Sequence, residues 1–589
     1  MKFKQFSTLL TRRQKQARLM TKHVSHNLDY LIFNRFNRLA SVKRFVFSWL
    51  VFWLLLVLLI SWQTLALAGY FQVTKPAPGG IFSEGDIGVL NNINPIYATT
   101  EADSSLSKLI FSGLLTYNKQ NQLIDCLASS YSVNSAGTVY TVILKPNLVW
   151  QDGQPLTSAD VVFTIKTIQN PNAQSPLYSD WQNIKVNAPN PLTVTFTLPN
   201  PLASFPYNLT LGIIPKHILS STPAYLLRQL SFNTVKPIGS GPFKWNGINV
   251  IGYTPSSASE KISLLPFKHY VLGEPKIAEF IFSFYANKSS MLHAFYNGQL
   301  TAMAGLNSVP SKVESNLNKY QVHNLILTAG DYVFFKTNSG VLADQRVRQA
   351  LVLASDPQAI INRLGYSTLP VNEPLLIGQL AYNKKYAQIT NQLSKAETIL
   401  NNDGWILSSN GYRYKHNQQL SFNIVTDNDT QNRLVVGQLL DQWKALGVKL
   451  IPIFENPTVF STAIANRSYD STLDGISIGI DPDVFVYWDK SQFDLRSSNL
   501  NLSDYDNANA SQALEAGRTR LNPQLRVIKY QPFLADWQTD APALGLFQPR
   551  FIYISNQTIY GLGSYEINSG KDRFNNVQNW EIITTNQTE

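Results

Sequence analysis

The residue types that most often carry chemistry are few in this chain and badly spaced for it. GISIG (475–479) fits the G-x-S-x-G pattern of an activated serine, which would make Ser477 a nucleophile. That pattern works only where a strand leads into it and a helix follows at once. Here Asp481-Pro482 follows, and a proline disfavours helix in the residue before it. The seven histidines, His23, His26, His217, His269, His293, His323 and His416, show no H-E-x-x-H and no Cys/His ligand spacing, so no metal site is expected. Asp481 and Asp483 alternate like cation ligands but lack the glycine and distal glutamate of a calcium loop. Tyr487 and Trp488 follow them closely and read either as core or as stacking surfaces for a ligand. Cys126 is the single cysteine, so no intrachain disulfide exists and its ordinary role is that of a small buried hydrophobe.

What must position these residues is a large folded body. The chain has 589 residues, 44% hydrophobic and 12% aromatic, which argues for several domains and against disorder. Its net charge of +11 is concentrated at one end: residues 1–44 hold eleven Lys and Arg against one acid, Asp29, so residues 45–589 carry only +1. A nearly neutral main body gives no ground for nucleic-acid binding. From Phe45 to Thr74 no residue is charged, and FVFSWLVFWLLLVLLISW is long enough to cross a bilayer, which takes ~20 apolar residues. Basic residues before the span and few after it predict a cytoplasmic N-terminus, with the rest of the chain outside the cell membrane. Ala66-Leu67-Ala68 also fits a signal-peptide cleavage site, but the length of leader and span favours an uncleaved anchor. Leu28, Leu31, Ile32, Phe36 and Leu39 fall at helical spacing, which suits either an amphipathic surface helix or a plain basic flank.

After the Pro/Gly-rich QVTKPAPGG (72–80), expected to be a linker, helix and strand patterns alternate. YTVILK (140–145) and LTVTFTL (192–198) read as strands, and SKAETILNNDGW (394–405) and NRLVVGQLLDQWKALG (432–447) as helices. The class is α/β or α+β. WQDGQPLTSADVVFT (150–164) is punctuated with care. Asp152-Gly153 supplies a turn, Thr157 a helix cap, and Asp160 the carboxylate that reaches back to it. Every polar residue in it has a structural task, and no chemistry is required.

That stretch, extended to TVYTVILKPNLVWQDGQPLTSADVVFT, resembles the signature of the family 5 extracellular solute-binding proteins, the peptide- and nickel-binding components of ABC importers. Five further motifs follow the same family pattern in the same order: LASSYSV (127–133), IIPKHI (213–218), PIGSGPFKW (237–245), DQRVRQALVLASD (344–356) and DPDVFVYWDKSQ (481–492). The resemblance implies a two-lobed α/β periplasmic-binding-protein-like fold of type II, with an extra domain in the first lobe, preceded here by one transmembrane helix. Its expected divisions are a tail at 1–44, a span at 45–67, a linker at 68–80 and lobe I from 81–125, 185–315 and 535–589. An added domain at 126–184 and lobe II at 316–534 complete them.

The resemblance further implies a monomer without cofactor or covalent chemistry. It would hold a peptide or peptide-like ligand between its lobes and hand it to an ABC transporter permease. The loop YATTEADSS (97–105) would reach the cleft through Thr99, Thr100 and Glu101. The family's acid a few residues before DPD is missing, since Ser477, Ile478, Gly479 and Ile480 stand there, which leaves Asp474, Asp481 or Glu101 for a ligand amine. Tyr487 and Trp488 would flank that position. Two other readings are a membrane-anchored sensor whose basic tail contacts a cytoplasmic partner, and an anchored hydrolase using Ser477.

Overall fold

The computed structural model describes residues 43–70, 72–251, 259–493, 500–563 and 566–588. They fall into two units, one of residues 1–75 with 584–589 and one of residues 76–583. Residues 1–42 of the basic tail, with the amphipathic pattern at 28–39, lie outside the described residues.

The first unit contains the helix Lys43–Tyr70, which extends past the expected end of the span. Its segment Phe45–Thr64 has a mean hydropathy of 2.4 and is long and apolar enough for a membrane span or a signal sequence. The expected linker is not all irregular. The strand Gln72–Ala77 pairs with Ile583–Thr588 in a two-stranded sheet. Pro76 is tolerated there because a two-stranded sheet consists only of edges.

The second unit is built on two large sheets. The first has seven strands in the order Gln321–Ile326, Arg550–Ser555, Ala302–Leu306, Ile81–Ile87, Glu279–Tyr285, Ser259–Pro266 and Phe243–Ile251. Ile81–Ile87 is central and parallel to both of its neighbours. The second sheet has five strands in the order Lys449–Glu455, Ser421–Asp427, Ser471–Ser477, Ala329–Phe335 and Ala543–Phe547. A separate antiparallel sheet of four strands, Ala128–Val133, Val139–Leu144, Thr193–Thr197 and Lys185–Asn190, belongs to the inserted segment. The chain passes between the large sheets twice, at 327–328 and 548–549. The two crossings are tied by Leu327 N donating to the Pro549 carbonyl (2.9 Å) and Gln548 Nε2 donating to the Leu327 carbonyl (2.9 Å).

These pairings correct three expected boundaries. Gln321–Ile326 belongs to the first sheet, not to lobe II, because it pairs with Arg550–Ser555 along its whole length. Residues 535–547 belong to the second lobe, since Ala543–Phe547 pairs with Ala329–Phe335. The inserted sheet runs on to Thr197, beyond the expected limit at 184.

The family motifs turn out to pack on one another. Trp150 is fully buried. The Gln151 side chain donates to the carbonyls of Phe243 (2.8 Å), Ile110 (3.2 Å) and Gly241 (3.3 Å), and accepts from Gly239 N (3.0 Å). A Cβ at Gly239 would collide with the Ile110 carbonyl, so PIGSGP closes over this helix end only with glycine there. Asp152 meets His217 Nε2 at 2.8 Å, and Asp160 accepts from both Thr157 N (2.9 Å) and Lys216 N (3.0 Å). The helix Ser158–Ile168 is therefore capped as its spacing predicts, and the cap also holds the IIPKHI segment.

Two carboxyls, Glu373 and Asp331, sit in the fold with no cation among the groups that act on them. Glu373 is fully buried, and its Oε1 accepts from Asn383 N at 2.9 Å. Burial pushes it up to about 8, against the effect of that bond. Burial, then Asp474 and Asp429, push Asp331 up to about 8. Such groups hold protons in the folded chain that the unfolded chain has released. Stability therefore falls as pH rises from the ordinary carboxyl range to about 8. We expect chemical denaturation midpoints to drop between pH 6 and pH 8.5, and Glu373→Gln to flatten that slope. At pH 8.5 the variant should be the more stable chain by about 1 kcal/mol or more, the worth of one pKa unit. A slope identical to that of the wild type would refute the assignment.

Candidate ligand-binding cleft

The helix Glu101–Ile110 follows the central strand of the first sheet and builds one wall of the cleft. Thr100 caps it by accepting from Asp103 N (3.0 Å), and Glu101 and Asp103 complement its positive end. Ala102, Leu106, Leu109 and Ile110 are buried in the core. Ser104, Ser107, Lys108 and, just beyond the helix, Phe111 share another face, at the i, i+3, i+4, i+7 spacing of a helical stripe. That face lines a cavity of about 410 Å3 whose other walls include Tyr117, Trp181, Tyr207, Lys571 and, from the second lobe, Ser477. A second cavity of about 480 Å3 adjoins it at Tyr207 and runs between Gln120–Leu123 of the first lobe and Gly378, Gln379, Gly479 and Ile480 of the second.

Tyr117 and Tyr207 stack with ring centroids 6.5 Å apart and planes 24° apart. Burial raises both phenols, Tyr207 to about 12, so both stay neutral donors at physiological pH. At the rim the lobes touch directly. Ser204 Oγ donates to Asp483 Oδ2 (2.9 Å), Arg518 pairs with the same oxygen (3.2 Å), and Ala203 N donates to the Arg518 carbonyl (3.0 Å). The described cleft is thus polar and aromatic, with the two lobes facing one another across it.

The expected site residues are only partly gathered here. Asp481 lines the second cavity, but a bidentate pair with Arg526 at 2.8 and 2.6 Å occupies it. Tyr487 donates to the Ser477 carbonyl at 2.5 Å and so braces the loop instead of standing free. Trp488, expected at the site, is instead fully buried against Tyr332 and Trp537, with ring centroids at 5.9 and 5.5 Å, and lines neither cavity. Thr99, Thr100, Glu101 and Asp474 line neither cavity. Thr99 is exposed, Thr100 is the cap, and Glu101 accepts from Ser105 Oγ (3.1 Å) and lies 3.7 Å from Arg573. Burial pushes Asp474 up to about 6, and its Oδ1 accepts from Gly475 N at 2.8 Å. Ser477 is exposed at the end of its strand and leads into Ile478 and Gly479, both bonded to the Thr328 carbonyl, so no helix follows it directly. None of the described histidines lines either cavity.

Sequence reasoning stopped at the start of the helix and missed Lys108, Tyr117, Tyr207 and Gln379. The serine and lysine stripe after Glu101 was the available signal. Tyr207 and Gln379 sit in irregular segments that no periodicity marks.

The family described as bacterial extracellular solute-binding proteins, family 5 Middle, matches residues 122–495, which is more than half of the chain. The chain belongs to that family. Its role is solute binding, and its two-lobed α/β fold is that of the solved family relatives. It is 24% identical over 529 residues to the oligopeptide-binding protein AppA of Bacillus subtilis, covering 86% of this chain and 92% of that one. It is 25% identical over 355 residues to the glutathione-binding protein GsiB of Pectobacterium atrosepticum, covering 59% of this chain and 66% of that one. Among solved structures, NikZ of Campylobacter jejuni in complex with Ni(L-His) superposes with a TM-score of 0.71 at 25% identity, covering 85% of this chain and 99% of that one. AppA of Bacillus subtilis with a nonapeptide gives a TM-score of 0.67 at 22% identity, covering 86% of this chain and all of that one. Family members bind solutes; the hydrolase reading of Ser477 gains no support from them or from the strand end on which it sits.

Proposed function

We propose that this chain captures peptides or peptide-like solutes outside the cytoplasmic membrane and delivers them to an ABC transporter permease. It would act as a monomer held by its N-terminal helix, with the basic tail inside the cell. The observation that carries the reading is the pair of adjoining cavities between the lobes, lined by stacked tyrosines, hydroxyls, amides and main chain. Such a lining suits a ligand recognised through its backbone while its side chains keep solvated space. The oligopeptide- and peptide-binding names of the similar proteins agree with it. The absence of histidine from the described walls favours a peptide over a histidine-ligated metal. Charge asymmetry around the apolar helix supports the orientation.

The test is native mass spectrometry of the full chain in detergent, alone and after incubation with a mixed library of di- to nonapeptides. Adducts at peptide masses are expected, released on denaturation. A chain that captures nothing from the library, yet retains a non-peptide solute from its host, would overturn the peptide assignment.

A further inference from the structure

Lys108 is the unusual charge in the cleft. It sits in the last turn of the helix Glu101–Ile110 and lines the first cavity. Its ammonium has three N–H donors, and the hydrogen bond described for it is one, to Thr116 Oγ1 at 2.8 Å. Among the described residues it forms no ion pair with a carboxylate. The acid that acts on it most, Asp572, is engaged elsewhere: its Oδ2 accepts from Ser569 N (3.3 Å) and Ser569 Oγ (3.5 Å) in a capping box. Burial lowers the Lys108 ammonium from the usual lysine range, and Asp572, which lines the same cavity without pairing with it, opposes that effect less strongly. Elsewhere the fold treats such cations differently. Arg526 has Asp481, Arg573 has Glu84, and Arg518 has Asp483. A second cation, Lys571, lines the same cavity. The cavity's remaining acid, Asp180, is exposed and accepts from Ser179 Oγ at 3.3 Å.

We infer that the first cavity receives a carboxylate of the solute, bound by Lys108 with Lys571 beside it, so that the substrate class is peptides with a free C-terminal carboxylate. This rests on the peptide reading above and sharpens it. A half-buried ammonium with spare donors gains from an anion brought by the ligand, because burial has already removed part of the water that would compete. Tyr117 and Phe111, on the same wall, supply the apolar and aromatic surface against which the terminal residue packs. The acid that the family resemblance leads one to expect before DPD is then not needed as the main anchor.

The experiment offers the full chain in detergent one peptide library in two forms, free acid and C-terminal amide, and compares capture by native mass spectrometry and competition. The free acids should be preferred by about tenfold or more, the range for a hydrogen bond to a charged group. In Lys108→Met the preference should vanish while amides still bind. Equal capture of acids and amides by the wild type overturns the inference, as does a preference that survives in Lys108→Met. The wild-type comparison stands without the variant, should Lys108→Met fold poorly. Capture of neither form defeats the peptide reading itself, so the two failures are distinct.

Discussion

Replacing Arg573 by methionine is expected to lower the unfolding free energy of the first lobe by about 3–5 kcal/mol, the cost of leaving a buried charge without its partner. Arg573 and Glu84 are both fully buried. The guanidinium reaches Glu84 Oε1 through Nη2 (2.5 Å) and Nε (3.2 Å), and also donates to Ser105 Oγ (2.9 Å) and the Gly570 carbonyl (2.6 Å). Tyr553 OH donates to the other Glu84 oxygen at 2.5 Å. One cluster thus joins the central strand, the cleft helix, a strand from the end of the chain and the short 3-10 helix Gly570–Phe574. In the variant Glu84 keeps one donor and loses its counter-charge in a site that water does not reach. Denaturant unfolding at neutral pH checks this. The double variant Glu84→Leu with Arg573→Met should recover much of the loss, because no charge is then left buried. A single variant within 1 kcal/mol of the wild type would show that the pair contributes little. Ligand affinity should fall too, since Ser104, Lys571 and Asp572 adjoin members of this cluster in the chain and line the first cavity.

Asp481→Ala separates a structural role from a ligand-binding one. The pair with Arg526 is bidentate, and the two side chains are 11% and 6% exposed. Removing the carboxylate leaves Arg526 unpaired in the helix Pro523–Asp540, and a loss of about 3 kcal/mol in the stability of the second lobe is expected. If Asp481 instead served mainly to bind a ligand amine, the variant would keep its stability and lose affinity alone. Unfolding curves and calorimetric titration with a captured peptide read the two outcomes apart. A cycle with Arg526→Met isolates the pairwise part, since the double variant should be less unstable than the sum of the singles.

Much of the local structure was legible in the chain. The strands at Val139–Leu144 and Thr193–Thr197, and the helices Leu393–Asn402 and Thr430–Ala445, fall within a few residues of where periodicity puts them. The turn and cap in WQDGQPLTSAD are as their residues dictate, because those bonds span three or four positions. Lobe boundaries were less legible. Nothing local in QVHNLI (321–326) or ALGLF (543–547) says which sheet each joins. That choice is made by partners more than 200 residues away, at 550–555 and 329–335.

The site divides along the same line. By itself the sequence determined the family, the α/β class and the apolar N-terminal helix, since these reside in order, composition and short-range spacing. Only the tertiary structure decided which polar residues face the cleft. It put Trp488 in the core, tied Asp481 to Arg526, spent Thr100 on a cap, and brought Lys108, Tyr117, Tyr207 and Ser477 around one cavity. The physical reason is that a charge or an aromatic ring takes its role from its neighbours, and here those neighbours come from segments far apart in the chain.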